Sequence, residues 1–328
     1  MTVADPAQPR TAVPPAPALA DDPPRRGRLA DLINLVRPRQ WSKNAVVVPL
    51  ALLDAPDWSA RAFTRIGWAV LVFTIAASLV YVVNDIADRH RDAEHPVKRH
   101  RPLASGRVGV GLAWAYAVLL GALLVGGLAV EPLTLGWPAL AYVALNLAYS
   151  TWLKHLPMVD VFVIAGGFLL RLVIGDLAAG SHVSGWLTVS VLALCLLLIL
   201  GKRRTEILAS TTEHRPALRG YTVQLADYLI LLSAGLTGVA FLLYLRTEAP
   251  IGGYATAAML VSAPFALFCL FRYLQNLLIR HTGGDPAAAL FGDRVLVTSS
   301  LLWMVPLVAI FAAARYPGFA HALLHGVI

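Results

Sequence analysis

Residues 63–92 read FTRIGWAVLVFTIAASLVYVVNDIADRHRD: an apolar run over 63–83 gives way at Asn84 to Asp85, Asp88 and Asp92. A run of about 18 or more apolar residues is long enough to cross a bilayer as a helix. On a helix Asn84, Asp88 and Asp92 follow i, i+4, i+8, and Asp85 lies three residues before Asp88, so an amide oxygen and three carboxylates project from one face. Ionisable groups at the end of a membrane segment are costly, which makes them functional candidates. Hard oxygens suit Mg²⁺, which keeps part of its water shell and is usually held by one or two carboxylates together with substrate phosphates. A diphosphate is therefore the expected guest. The plainer alternatives are ion pairs to Arg89 and Arg91 in a solvated segment, or acids favoured by a helix dipole.

The rest of the chain agrees with a membrane setting. Of 328 residues 58% are hydrophobic and only 14% charged, and the mean hydropathy is +0.66. Hydropathy predicts an all-α polytopic fold with nine spans, over 40–53, 63–83, 108–130, 134–152, 159–177, 186–200, 225–245, 254–271 and 295–314, the first short and weak. The expected arrangement surrounds a central cavity open to the cytoplasm. The net charge of +8 could suggest nucleic acid as a partner, but the basic residues are segregated. Nearly all fall on one side of the predicted spans, the positive-inside pattern, which excludes a nucleic-acid binder and places the N-terminus and the acid run in the cytoplasm at the cell membrane. Cys195 and Cys269 both lie inside predicted spans, so no disulfide framework is expected. Residues 1–28, rich in Pro and Ala, read as a disordered tail without a signal peptide, and 29–328 as one transmembrane catalytic domain.

A phosphorylated guest needs cations as well as metal. Lys43, Lys98, Arg101 and Lys154 are held near the acids by adjacent motifs or short connections, whereas Arg37, Arg39, Arg99 and Arg107 read as positive-inside anchors. Arg171 falls inside a span, eleven residues or about three turns after Asp160, on the same helix face. It is either a structural partner of an acid such as Asp160 or an anion hook in the cavity. Tyr81 and Tyr149 sit near helix ends and belong either to an interfacial belt or to the cavity mouth. The loop histidines, His90, His95, His100 and His155, lack metal-ligand spacing.

Nine predicted spans with Asn84-Asp85-x-x-Asp88-x-x-x-Asp92 after the second resemble the UbiA-like intramembrane prenyltransferase superfamily, over nearly the whole chain from Arg37 onward. Finer strings are similar to a phosphoribosyl-transferring branch of it: Arg37-Pro38-Arg39-Gln40-Trp41-Ser42-Lys43-Asn44, His95-Pro96-x-Lys98-Arg99-x-Arg101-Pro102, Tyr149-Ser150-x-x-Leu153-Lys154, and 160–175 with Gly167, Phe168 and Arg171. Ordinary members of the superfamily carry a second aspartate-rich motif after the sixth span. Here the corresponding stretch is Gly201-Lys202-Arg203-Arg204-Thr205-Glu206.

The resemblance implies Mg²⁺-dependent transfer of a 5-phosphoribosyl group from 5-phosphoribosyl 1-diphosphate to a polyprenyl (decaprenyl) phosphate lipid. The product would be polyprenylphosphoryl-5-phosphoribose, a precursor of the arabinose donor for cell-wall arabinan. It implies Asn84, Asp85, Asp88 and Asp92 as metal ligands, with Asp85, Asp88 and Asp92 catalytic. Lys43, Tyr81, Tyr149, Lys154 and Arg171 would meet the donor, and Lys98, Arg101, Lys202 and Arg203 the 5-phosphate or lipid phosphate. A homo-oligomer is left open. The competing readings are a prenyl diphosphate donor with a small aromatic acceptor, and a transporter with an acidic cation site. The second is disfavoured because the acids sit at a membrane edge, not near the midplane.

Overall fold

The computed structural model describes residues 27–44, 47–55, 58–209, 216–280, 284 and 286–316, so most of the expected N-terminal tail lies outside the described residues. Every regular element among them is helical: α1 (Arg28–Leu35), α2 (Val47–Asp54), α3 (Ala60–Glu94), α4 (Val110–Leu128), α5 (Leu133–Thr151), α6 (Val159–Ala179), α7 (Gly185–Leu208), α8 (Val223–Thr247), α9 (Ala255–Leu278), α10 (Pro286–Phe291) and α11 (Arg294–Arg315). Seven of these helices, α3, α4, α6, α7, α8, α9 and α11, are long and apolar enough to cross a membrane. α5 matches them in length at 19 residues. Outward positions on several spans are large and apolar, among them Leu119 and Leu123 on α4, Leu232 and Val239 on α8, and Leu302 and Val305 on α11. Such faces suit lipid chains, and the protein is a multi-pass membrane protein.

Helix α3 positions the acids. Its 35 residues rise about 50 Å, against a hydrocarbon core of about 30 Å, so its last turns project beyond the core. Residues 84–92 thus mark one end of the bundle, the acid end. Ser59 starts the helix by accepting the Ala62 N–H through its side-chain oxygen at 3.3 Å. Small and medium side chains along its inner stripe, Ala69, Val72, Ala76, Ala77 and Val80, are almost fully buried. They allow α4, α5 and α6 to pack closely on it.

The first expected span differs from a spanning helix. Residues 38–43 form a 3₁₀ turn, and α2 has only eight residues, a rise of about 12 Å. The chain nevertheless runs along the bundle. Arg37 meets Asp85 at the acid end, Asn44 meets Arg171 midway, and the carbonyls of Leu52 and Ala55 accept from Arg315, the last residue of α11. Gly175 makes room for α2 on α6, since a Cβ there would lie 3.0 Å from Val47 and 3.1 Å from Ala51. Breaking the helix before α2 lets the Asn44 side chain turn inward.

Two cores share α6. One gathers Phe73, Val80, Tyr142 and Ile174 from α3, α5 and α6; the other gathers Leu172, Leu197, Ile230, Tyr244 and Phe311 from α6, α7, α8 and α11. At the far end, Arg65 of α3 pairs with Glu131 at 3.2 Å, and Glu248 accepts the Trp186 N–H at 3.0 Å and the Ser184 hydroxyl.

Candidate active site

The acid face of α3 divides into two edges. At about 100° per residue, Asn84 and Asp88 lie 40° apart, while Asp92 and Asp85 lie at the other side of an arc of about 100°. Asp85 and Asp92 are each 3% exposed. Arg101 Nη1 donates to Asp85 Oδ1 at 3.2 Å and to Asp92 Oδ2 at 2.6 Å. Lys98 Nζ lies 3.7 Å from Asp92, and Arg37 closes the group through a hydrogen bond to Asp85. Asn84 Oδ1 accepts from Ser150 Oγ of α5 at 2.7 Å. Asp88, with 35% of its side chain exposed, stands 3.7 Å from Lys154 and 3.6 Å from Arg91. Arg89, the other expected partner of the acids, donates instead to the Ile86 carbonyl at 3.0 Å.

Arg37 was expected as an interfacial anchor and is a member of the site. It adopts φ +50° at the start of the 3₁₀ turn, a left-handed conformation uncommon for a residue with a Cβ. Its guanidinium lies 5.1 Å from the centre of the Tyr81 ring, which places Tyr81 beside the Arg37–Asp85 pair. The usable signal was its place immediately before Pro38, a position that resists helix and forces a turn. Arg107, a second expected anchor, grips Asp31 of α1 at 3.1 Å and the His100 carbonyl at 2.8 Å, fixing the segment that carries Lys98 and Arg101.

Deeper in the bundle Arg171 is only 4% exposed. It does not meet Asp160, because three turns of one helix separate them by about 16 Å. Its Nε donates to Asn44 Oδ1 at 2.9 Å, its Nη1 to the Gly167 carbonyl at 2.7 Å and its Nη2 to the Tyr142 hydroxyl at 3.4 Å. The rings of Phe73, Tyr142 and Phe168 surround it at 4.8 to 5.1 Å. All of these partners are neutral. Asn44 is itself fixed by donating to Thr74 Oγ1 at 3.1 Å. Tyr142, Phe73 and Asn44 were not predicted as a cage; they come from three separate segments, and no local pattern joins them.

The remaining predicted cations separate. Arg203, 1% exposed, is committed to Asp160 at 3.1 Å and Glu206 at 2.6 Å, which corrects its expected place on a substrate phosphate. Tyr221 donates to the other Asp160 oxygen at 3.0 Å. Burial, and then the Asp160 charge, push the Tyr221 phenol well above its usual range, so it stays a donor. Lys202, one residue from Arg203 and therefore about 100° round α7, is half-buried. Lys43 ends the 3₁₀ turn beside Asn44 and is exposed, and Tyr149 is half-buried near the end of α5.

The expected four-residue metal set is not assembled as one cluster, and among the described residues no three His, Cys, Asp or Glu side chains converge on a common point. Asp85 and Asp92 are held by guanidinium and ammonium groups. Asn84 and Asp88 fit an ion better: two hard oxygens one turn apart on the more open edge, with Asp88 35% exposed at its side chain and making no hydrogen bond as short as those of Arg101. Mg²⁺ commonly takes one or two protein oxygens and completes its shell with phosphate and water.

A bundle of membrane helices with an aspartate-rich helix end facing basic turns is the architecture of intramembrane transferases of the UbiA kind. The UbiA prenyltransferase family model matches residues 45–294, and the chain belongs to that family. More particularly, it is 32% identical to a decaprenyl-phosphate phosphoribosyltransferase of Corynebacterium glutamicum, over 90% of this chain and 91% of that one. It is also 32% identical to the decaprenyl-phosphate phosphoribosyltransferase of Mycobacterium tuberculosis, over 86% of this chain and 94% of that one. The fold is shared with a UbiA homolog from Archaeoglobus fulgidus solved bound to GPP and Mg²⁺, with a TM-score of 0.61 at 18% identity, covering 88% of this chain and 98% of that one.

Proposed function

We propose that the chain transfers a 5-phosphoribosyl group from 5-phosphoribosyl 1-diphosphate to a polyprenyl phosphate, releasing diphosphate. The product would be polyprenylphosphoryl-5-phosphoribose, which serves as a precursor of an arabinose donor for cell-wall arabinan. The full-length likeness to decaprenyl-phosphate phosphoribosyltransferases supports the choice of substrates. The observation that carries the reading is Arg171, a buried guanidinium whose hydrogen-bond and ring partners are all neutral. A cation at that depth costs at least a few kcal/mol unless a polar cavity or an anion compensates it.

Asn84 and Asp88 would hold Mg²⁺, which when bound offsets the charge on a diphosphate leaving group. Lys154, beside Asp88, and Lys43, beside Asn44, bind donor oxygens from either side. Arg171 lines the deeper part of the donor site, and the Tyr81 and Tyr149 hydroxyls its mouth. Asp85 and Asp92 act through Arg37, Lys98 and Arg101, holding these cations ready for phosphate before substrate arrives, which lowers the ordering cost of binding. An acceptor phosphate is anionic at neutral pH, so its oxygen attacks the ribose C1 without a strong general base. The acid end faces the cytoplasm in this reading, where a soluble sugar phosphate meets a lipid-borne acceptor.

The test uses purified full-length protein in lipid nanodiscs with Mg²⁺, ¹⁴C-labelled 5-phosphoribosyl 1-diphosphate and polyprenyl phosphate. A labelled lipid product that disappears with EDTA is expected. No product from this pair, together with product from a prenyl diphosphate and an aromatic acceptor, would reject the reading in favour of prenyl transfer.

A further inference from the structure

The connection from α5 to α6, which carries Lys154 to Asp88, contains a strained residue. Met158 has a Cβ and yet adopts φ +66° and ψ −47°. The Val159 N–H donates across it to the Pro157 carbonyl at 2.8 Å. Together these make a γ-turn of the rare, strained kind. Such a backbone persists only where its surroundings over-determine it, and it is found most often at functional sites.

Here the constraint comes from the connection between α7 and α8. Tyr221, 6% exposed, accepts the Met158 N–H at 2.9 Å and donates to Asp160 Oδ1 at 3.0 Å, so one hydroxyl bridges the γ-turn and the first turn of α6. Arg203 of α7 holds the other Asp160 oxygen at 3.1 Å. Gly220 ends the 3₁₀ turn Pro216–Gly220 and lies against the same bend: a Cβ on it would stand 2.4 Å from the Pro157 Cβ, so only glycine allows this approach. On the other side of the bend, Lys154 lies four residues before Met158, in the 3₁₀ turn Leu153–His155. The Leu156 N–H ties that turn to the bend by donating to the Leu153 carbonyl at 3.2 Å. Lys154 Nζ stands 3.7 Å from Asp88, beyond hydrogen-bond reach, so the backbone of the turn sets where the ammonium stands.

We propose that Tyr221 is a positioning residue for the donor site: by bridging Met158 and Asp160 it holds the strained turn in the one shape that aims Lys154 at Asp88. The proposal rests on the donor-binding role assigned to Lys154 above. Tyr221 touches neither substrate, and its effect on catalysis runs through Lys154.

The test is a double-mutant cycle on full-length protein in nanodiscs. Tyr221→Phe keeps the ring and removes the hydroxyl, and should raise the donor KM about 10-fold with the acceptor KM unchanged. In a Lys154→Met background the same change should add less than about 2-fold. Gly220→Ala removes no hydrogen-bonding group but displaces Pro157, and should give the same donor-specific, Lys154-dependent loss. A second measurement needs no turnover: brief acetylation with acetic anhydride, read by mass spectrometry, should modify Lys154 about 3-fold faster in Tyr221→Phe than in wild type, with Lys43 and Lys98 unchanged. Equal loss in both backgrounds, or an unaltered donor KM in both variants, would overturn the proposal. Transfer product with unchanged Lys154 acetylation rejects the positioning role alone. Faster Lys154 acetylation in a protein that forms no transfer product supports the positioning and rejects the activity.

Discussion

Arg101 donates from a single nitrogen to Asp92 Oδ2 at 2.6 Å and Asp85 Oδ1 at 3.2 Å, joining carboxylates two turns apart on α3. The three groups behave as one unit, so their contributions should not add. Arg101→Met and Asp92→Asn should each lower kcat/KM for the donor by about 10 to 100-fold, and the double variant should be no worse than the more damaging single one. Full additivity in the kinetics would show that the groups act separately.

Asp88 faces the open edge, and the proposed reading makes it a metal ligand. Asp88→Ala should abolish turnover in the nanodisc assay while the protein extracts and migrates as wild type on size exclusion. Asp88→Glu, which keeps a carboxylate, should retain some turnover and need more Mg²⁺ for half-maximal rate. Near-normal activity in the alanine variant would remove Asp88 from the metal site.

Arg171 makes forked contacts in a tight cage of rings, which an ammonium cannot reproduce. Arg171→Lys should raise the donor KM or lower kcat by about 10 to 100-fold. Unchanged kinetics with a lowered Tm would make Arg171 a structural residue.

Arg203 and Asp160 form a buried pair, 1% and 0% exposed at their side chains. Removing one partner leaves an uncompensated charge, so Arg203→Met should cost about 3 to 5 kcal/mol, and adding Asp160→Leu should recover much of it. Thermal unfolding in detergent measures both. A stable single variant with only a higher acceptor KM would return Arg203 to substrate binding.

Asp293 caps α11, accepting the N–H groups of Val295 and Leu296 at 2.9 and 3.0 Å, and also meets Asn276 and Arg272. The hydrogen bonds from Asn276 and Leu296, and then Arg272, hold its carboxyl well below the ordinary 3.8. A depressed folded value stabilises the fold above the ordinary carboxylate value, and the benefit is lost as pH falls below it. Asp293→Asn should therefore lower Tm at pH 7, with the gap to wild type narrowing below about pH 4. A gap independent of pH would refute the assignment.

Much of the site was legible in residues 84–92, because four side-chain oxygens at helical spacing just after an apolar run are costly there unless they meet a cation. The spacing placed them on one face, but that face is about 100° wide. Which edge meets arginine and which stays open depends on Arg37, Arg101, Ser150 and Lys154, and only packing of α3 against its neighbours brings these together. Asp160 and Arg171 share a helix face in the sequence, yet distance along the axis sends one to Arg203 and the other to Asn44. The short α2 was hidden for a related reason: hydropathy reports apolar length, whereas the break at Asn44 is stabilised by contacts to Thr74 and Arg171 from distant segments.

By itself the sequence determined the membrane setting, the helical class and the gathering of four side-chain oxygens on one face at the end of a span, since each follows from local pattern and the cost of placing charge beside lipid. The tertiary structure decided which charges are spent on one another and which stay available. Arg203 is buried against Asp160, Asp85 and Asp92 are held by Arg101, and Arg171 sits among neutral oxygens and rings. Charge pairing acts over a few ångströms in space, and residues far apart in the chain supply it.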